Sequence, residues 1–334
     1  MEKSKYRIIR IMSDLELPSW RLFLSKQKNS SFFHSPEYFN ALAKCNSIEP
    51  IGIIVVNNVN EIVGLAIGEK SDEFSILPYI SRRTIFYDAP LYSDLFALKM
   101  ILDYLSKCNC GIFIQIRNFY PLDYETLQIY KQYGYNYVDH LNCYILLEND
   151  LEIIFKNFKK DKQKGIIKAE QKYKIKIMEF DDIKHAVELF YSFQKSLFKK
   201  KRHAYKSKEY FYNLASVAKQ YVHIAFAVHD GQPIAVQLYI VYGNRITAFY
   251  TSTLSNYRNL HAGDLLVWYM IKKGKQMGLK VFDFGGGGNP HKSYSPRFYK
   301  ERFNPIFENV GRLTMPKSPF YNIAIFLYDL ILKK

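Results

Sequence analysis

Lys300 has the type and the neighbours needed to stabilise negative charge on a reacting group. It stands in Phe298-Tyr299-Lys300-Glu301-Arg302-Phe303, where Tyr299 and Phe303 can strip water from an ammonium and leave its field unscreened. The same lysine can also be a surface residue whose stem covers those rings. Upstream, Asp283 lies in the apolar run Val281–Phe284, just before the four consecutive glycines 285–288. A carboxylate there can take a proton from an amine or orient it, or it can bond the backbone amides of the turn. Tyr250 and Tyr294 are further hydroxyl donors by type, and each can equally be structural.

Several chemistries are excluded by pattern. The glycines tolerate positive φ and close backbone approach, which suits a bulge, a sharp exit or a ligand-facing turn. They are not a dinucleotide loop, because Asn289-Pro290 stands where a helix would open, and no Gly-Lys-Ser/Thr follows to cradle phosphate. No Gly-x-Ser-x-Gly elbow occurs, so a serine nucleophile is not expected. His185, His203, His223 and His229 are scattered, and His261 and His291 stand alone, so no metal site is expected.

The elements that must carry these residues are legible. Arg245–Thr251 alternates as a strand. Leu260–Met277 reads as a helix stopped by Gly278, and Val281–Phe284 as the next strand. Ahead of them, Val222–Val228 and Pro233–Tyr242 complete a meander turned at Asp230-Gly231 and Gly243-Asn244. The first half has its own set. Ser35-Pro36-Glu37 opens a helix running to about Lys44, with serine as N-cap and proline in the first turn. Ile51–Val56 and Glu61–Ile67 form a hairpin about Asn57–Asn60, and Ile85–Tyr87 is a short strand. Leu95, Leu98, Ile101, Leu102 and Leu105 mark an amphipathic helix over Asp94–Ser106. Ile112–Ile116 and Asn142–Leu147 are strands, with the helix Tyr124–Tyr133 between them. Leu151–Phe158 and Asp181–Lys199 are helices, Ile175–Phe180 is a strand, and Ser207–Ala218 is a helix.

The order strand, helix, strand, glycine-rich exit and aromatic-basic segment resembles the C-terminal half of a GNAT-type acyltransferase lobe. More narrowly it resembles the FemABX family, the peptidoglycan interpeptide-bridge aminoacyltransferases, and its acetyltransferase-like relatives. The residues that carry this are Phe282-Asp283-Phe284-Gly285-Gly286 and Phe298-Tyr299-Lys300-Glu301-Arg302-Phe303. Phe33-His34-Ser35-Pro36-Glu37-Tyr38 and Tyr87-Asp88-Ala89-Pro90 resemble motifs of the family's first lobe, without the glycines usual in the second of them. The resemblance implies an α+β (α/β) chain of two tandem GNAT-like lobes, each a mixed twisted sheet flanked by helices. The expected divisions are a first lobe over 1–150, a basic connector and first strand over 151–180, a second lobe over 181–318, and a C-terminal apolar helix over 319–334.

For the site, the resemblance implies that Lys300 lies by the substrate channel and that two central strands, Arg245–Thr251 and Lys280–Phe284, splay to admit a donor. Acyl transfer to an amine needs a proton acceptor, stabilised charge on the carbonyl oxygen, and reactants held together. Lys300 and Asp283 are the catalytic candidates. Arg258, Tyr250, Gly285, Gly286, Tyr299, Arg302 and Lys168 are the candidates for binding donor and substrate. Arg258-Asn259-Leu260-His261-Ala262-Gly263 departs from the glycine-rich acyl-CoA loop, because His261 replaces its first glycine. Ile167-Lys168-Ala169-Glu170 partly matches the family's basic connector helix, with lysine in place of arginine, and lysine cannot fork a phosphate.

Composition bounds the partners. The 334 residues carry 47 Lys+Arg against 31 Asp+Glu, a net charge of +16, which favours an anionic partner if it is more than solvated surface. The expected partners are a nucleotide- or lipid-linked cell-envelope precursor and tRNA. The donor is aminoacyl-tRNA or acyl-CoA, with no tightly bound cofactor. No long helical arm of the kind some family members use on tRNA fits between Asp181 and Val222. The four cysteines read as reduced thiols of a cytosolic protein. No secretory signal or membrane-spanning run is expected, and the tail either docks on the body or makes a peripheral contact with the inner membrane face. The rival function is a catalytically degenerate basic protein that holds an anionic lipid or RNA.

Overall fold

The computed structural model describes residues 6–11, 18–72, 81–201, 206–323 and 325–326. Two compact units emerge. The first comprises residues 1–139, 202–213 and 310–334, and the second residues 140–201 and 214–309.

The sheet of the first unit contains β1 (Tyr6–Ile11), β2 (Glu49–Asn57), β3 (Ile62–Asp72), β4 (Arg82–Phe86), β5 (Leu91–Tyr92), β6 (Phe113–Arg117), β7 (Asn136–Val138) and β15 (Arg312–Pro316). Their order is β1-β2-β3-β4-β6-β15-β7, with β5 beside β3. α1 (Pro18–Lys26), α2 (Pro36–Ala43), α3 (Leu95–Lys107) and α4 (Tyr124–Gln132) flank it. Ser35 caps α2 by accepting from Tyr38 N, and Asp94 caps α3 by accepting from Ala97 N. The predicted apolar face of α3 (Leu98, Ile101, Leu102, Leu105) is fully buried on Ile53, Val55, Ile114 and Leu313.

The second unit's sheet runs β14 (Ile306–Asn309), β8 (Leu141–Leu146), β13 (Val281–Gly288), β12 (Arg245–Thr253), β11 (Gln232–Tyr242), β10 (Val222–His229), β9 (Lys176–Glu179). Only β12 and β13 are parallel, joined by the crossover helix α9 (Ala262–Gln276). Earlier in the chain come α5 (Leu151–Lys156), α6 (Lys160–Ile167), a π-helical turn Lys168–Lys172 and α7 (Ile183–Lys201), and the next helix, α8 (Lys208–Val217), is divided between the two units after residue 213. The short α10 (Ser295–Glu301) follows the glycines. α9 buries Leu265, Leu266, Met270 and Ile271 among Ile246, Tyr239 and Phe282.

The unit boundaries differ from those expected at 150 and 318. The strand Asn142–Leu147, assigned to the first lobe, is β8 and pairs with β13 and β14 in the second unit. β15, which falls inside the expected second lobe, pairs with β6 and β7 in the first. Strand partners are chosen by long-range pairing and not by local alternation, so chain order alone misplaces both. The apolar helix expected over 319–334 falls mostly outside the described residues, which extend only to a helical turn near residues 321–326. There Tyr321 packs edge-on against Phe113 at 5.5 Å. Of the cysteines, Cys45 and Cys143 are free and buried. Cys108 and Cys110 are bonded to each other, a correction to the expectation of four thiols.

Candidate active site

Parallel pairing between β12 and β13 lasts only from Arg245↔Val281 to Thr247↔Asp283. Beyond it the two strands part. β12 stays on β11 across a bulge between Leu238 and Tyr239, and β13 stays on β8 through two register shifts among its glycines. The central strands therefore splay, as the resemblance implied. The glycines are a bulged continuation of the strand, not a loop after it. Gly285 and Gly288 have φ of +71° and +77°, and a Cβ on Gly288 would stand 2.7 Å from the Tyr294 ring.

Asp283 is fully buried at the base of the splay. Its Oδ2 accepts from Arg245 Nη1 and, at 3.1 Å, from Asn142 Nδ2, while its Oδ1 accepts from the Gly285 amide at 2.6 Å. A fully buried carboxylate met by three donors anchors the start of the glycine segment, with one lone-pair site of Oδ1 left over.

Lys300 projects from α10 back onto the same segment. Its Nζ donates to the carbonyls of Phe284 (2.7 Å), Gly285 (3.3 Å) and Gly286 (2.9 Å). Burial pushes its ammonium below the usual lysine range, though the nearby Asp283 carboxylate favours the charged form. Cys143 donates its thiol to the Gly285 carbonyl at 3.0 Å, and burial pushes that thiol up to about 11, so it stays protonated.

Tyr299, the neighbour of Lys300, points the other way. Its hydroxyl donates to Asp264 Oδ1 at 2.9 Å. Asp264 lies in the first turn of α9, buried, and also accepts from Lys162 Nζ at 2.7 Å. Its Oδ2 lies 3.2 Å from Nδ1 of His261, the N-cap of α9 with φ of +60°. Lys162 sits 4.1 Å over the Tyr299 ring and 5.2 Å over Phe303. Burial and the Asp264 carboxylate push the Tyr299 hydroxyl well above its ordinary range. Gly165 of α6 lets the His261 ring approach, since a Cβ there would lie 2.7 Å from Nδ1.

The sequence candidates thus separate. Lys300, Asp283, Gly285, Gly286 and Tyr299 come together. Tyr250 lies on the parted half of β12, edge-on to Phe190 and Phe249. Arg258 is exposed in the turn before α9, and its side chain makes no hydrogen bond or ion pair among the described residues. Arg302 is committed to a two-point ion pair with Asp161 (2.8 and 2.6 Å) and so ties the end of α10 to α6. Lys168 is exposed on the π-helical turn, one of seven exposed lysines among the eight between Lys159 and Lys176. The eighth, Lys162, is buried and was missed, as was Asp264. Among the described residues no group of His, Cys, Asp and Glu could hold a metal ion, and no helix is long and apolar enough to cross a membrane.

Comparison with known proteins agrees with this geometry. Residues 156–293 match the model of the acetyltransferase (GNAT) domain. No curated protein matches the sequence. Among solved structures, FemX superposes with a TM-score of 0.70 at 13% identity, covering 95% of this chain and 99% of its own. L-PGS from Bacillus licheniformis gives 0.57 at 13% identity over 94% and 96%. A tandem GNAT protein from the clavulanic acid biosynthesis pathway gives 0.57 at 10% identity over 94% and 99%. At these identities the structural likeness speaks for the fold, and the domain match for the reaction class. The match over residues 156–293 to the GNAT domain marks the chain as an acyltransferase, and its fold is similar to that of FemX and of the tandem GNAT protein.

Proposed function

We propose that the second unit transfers an aminoacyl group from aminoacyl-tRNA to an amine of an anionic cell-envelope precursor, in the opening between β12 and β13. The observation that carries this reading is Lys300, a partly desolvated ammonium held over three backbone carbonyls where the strands part. Its three N–H donors are taken by those carbonyls, so it acts on the oxyanion of a tetrahedral intermediate or on a substrate phosphate through its charge, or by exchanging the long bond to Gly285 for the new oxygen. Asp283 acts by shaping the glycine segment, and the proton is lost to solvent or to a substrate group.

α9 supports the choice of the tRNA-borne donor. A helix N-terminus attracts an anion such as the diphosphate of CoA. Here a buried carboxylate, Asp264, paired with Lys162, already occupies the first turn and takes the place such an anion would use. The exposed lysines of residues 159–176 and the exposed Arg258 offer a phosphate backbone several separate cations. The resemblance to the FemABX family supports the same donor and the envelope acceptor. A second reading, an acyl-CoA donor, is favoured by the acetyltransferase domain match.

The test is a transfer assay on a pool of lipid- and nucleotide-linked precursors, with labelled charged tRNAs and labelled acetyl-CoA run in parallel, each with and without RNase. RNase-sensitive label in the precursor, falling steeply with salt, is the expected result. Label from acetyl-CoA alone would move the assignment to acetyl transfer.

A further inference from the structure

α10 has seven residues, too few to hold its shape or orientation alone. Three sets of contacts hold it. At its start, the Arg297 guanidinium donates to the carbonyls of Asn289 (2.8 Å) and Lys292 (2.7 Å), with a longer contact to Gly287 (3.4 Å). At its end, Arg302 pairs with Asp161, and Phe303 packs edge-on against Phe158 at 5.2 Å. In its last turn the hold comes from Tyr299, and it passes through a buried ion pair. Tyr299 donates to Asp264, Asp264 accepts from Lys162, and Lys162 lies on the Tyr299 ring.

We infer that Lys162 and Asp264 are positioning residues, which clamp Tyr299 and thereby set the rotation of α10 that keeps Lys300 Nζ on the carbonyls of Phe284, Gly285 and Gly286. Consecutive helical side chains lie about 100° apart around the axis, so fixing the ring of Tyr299 on α6 and α9 fixes the direction of Lys300. The seat of Lys300 is narrow, because one ammonium satisfies three acceptors at 2.7–3.3 Å and a small rotation breaks that set. The clamp is well suited to holding one orientation. Its carboxylate is buried and takes two donors on a single oxygen, and its cation is desolvated between that oxygen and an aromatic face. The titratable and charged groups that face it are His261 from the N-cap of α9 and, one residue before Lys162, the Asp161–Arg302 pair.

The importance of this clamp rests on the reading of Lys300 as the group facing the reacting carbonyl, but its test does not. The full chain is labelled with trace acetic anhydride, and mass spectrometry reads the modification of Lys300 relative to the exposed Lys168. The three carbonyl contacts of its Nζ predict that Lys300 is protected in the wild type. Tyr299→Phe keeps the ring and removes only the hydroxyl; Asp264→Asn removes the charge that holds Lys162; Lys162→Arg restores a cation. Tyr299→Phe and Asp264→Asn are expected to raise Lys300 labelling about tenfold, the size of one charge-assisted hydrogen bond, and Lys162→Arg to stay within about twofold of wild type. Melting curves identify any variant that has unfolded, and the conservative Tyr299→Phe decides the case if Asp264→Asn does not fold. Unchanged Lys300 protection in folded Tyr299→Phe overturns the inference, whatever the transfer assay gives. An inactive wild type with the labelling pattern as expected leaves the clamp standing and removes the transfer reading.

Discussion

Asp283→Ala separates an anchor from a proton acceptor. The carboxylate is fully buried and is met by a guanidinium, a side-chain amide and a backbone amide. Its removal leaves Arg245, whose side chain is 18% exposed, without its buried counter-charge, and leaves Asn142 Nδ2 and the Gly285 amide without their acceptor. Breaking a buried ion pair from one side costs about 3–5 kcal/mol. Each orphaned donor adds about 1–3 kcal/mol, but water admitted by the missing side chain recovers part of this, so the total should stay at about 4 kcal/mol. For a unit of this size, that is a fall in Tm of roughly 10 °C. The assay is thermal and urea unfolding of Asp283→Ala beside Asp283→Asn, with transfer measured on both. The anchor predicts that both variants lose stability, alanine more than asparagine, and that activity falls with the order of the glycine segment. An asparagine variant with the wild-type Tm and no transfer would refute the reasoning, because it would make Asp283 a proton acceptor after all.

Other sites give further tests. Gly288→Ala places a Cβ 2.7 Å from the Tyr294 ring at a φ of +77°; it should destabilise by about 1–3 kcal/mol in urea unfolding and reduce transfer by displacing the glycine segment. Glu179 accepts from Tyr239 (2.6 Å), Tyr269 (2.8 Å) and Lys273 (2.7 Å). Burial alone would raise its pKa, but these three donors outweigh it and hold it below 4.5. The folded carboxyl thus binds its proton less readily than the unfolded one, so its contribution is complete above pH 4.5 and is lost as pH falls through the folded value. Glu179→Gln should flatten the pH dependence of Tm in that acid window and leave it unchanged above pH 6. In the first unit, Lys206 pairs with Glu69, which is fully buried and also accepts from the Tyr38 hydroxyl at 3.3 Å. Lys206→Met should cost about 3–5 kcal/mol by urea unfolding, since it strands that carboxylate.

Local rules predicted much of this fold. Asn57–Asn60, Asp230-Gly231 and Gly243-Asn244 set three hairpins, and Ser35 and Asp94 cap the helices they were expected to open or begin. The order strand, helix, strand led to the β12–β13 opening and to Lys300 beside it. Pairing at long range was not legible: β8 and β15 each complete a sheet remote in sequence, and alternation carries no record of the partner. Lys162 was hidden in a run of lysines that reads as solvated surface, and seven of the eight are indeed exposed. What distinguishes the eighth is its place over Tyr299 and beside Asp264, which only the folded chain supplies. The faint signal was its helical neighbour Gly165, a small residue that admits His261 against α6. The commitment of Arg302 to Asp161 follows the same logic, since the partners lie 141 positions apart.

The central claim is that Lys300 stabilises the charge formed during transfer. Its most direct test is single-turnover transfer to the envelope-precursor pool by wild type and by Lys300→Met, which keeps most of the stem and removes the ammonium. The account predicts a rate lower by about 10²–10³-fold in the variant, with donor binding little changed and the fold intact by circular dichroism. Equal rates in the two proteins would contradict it and would make Lys300 a clasp for the glycine segment, with the chemistry elsewhere.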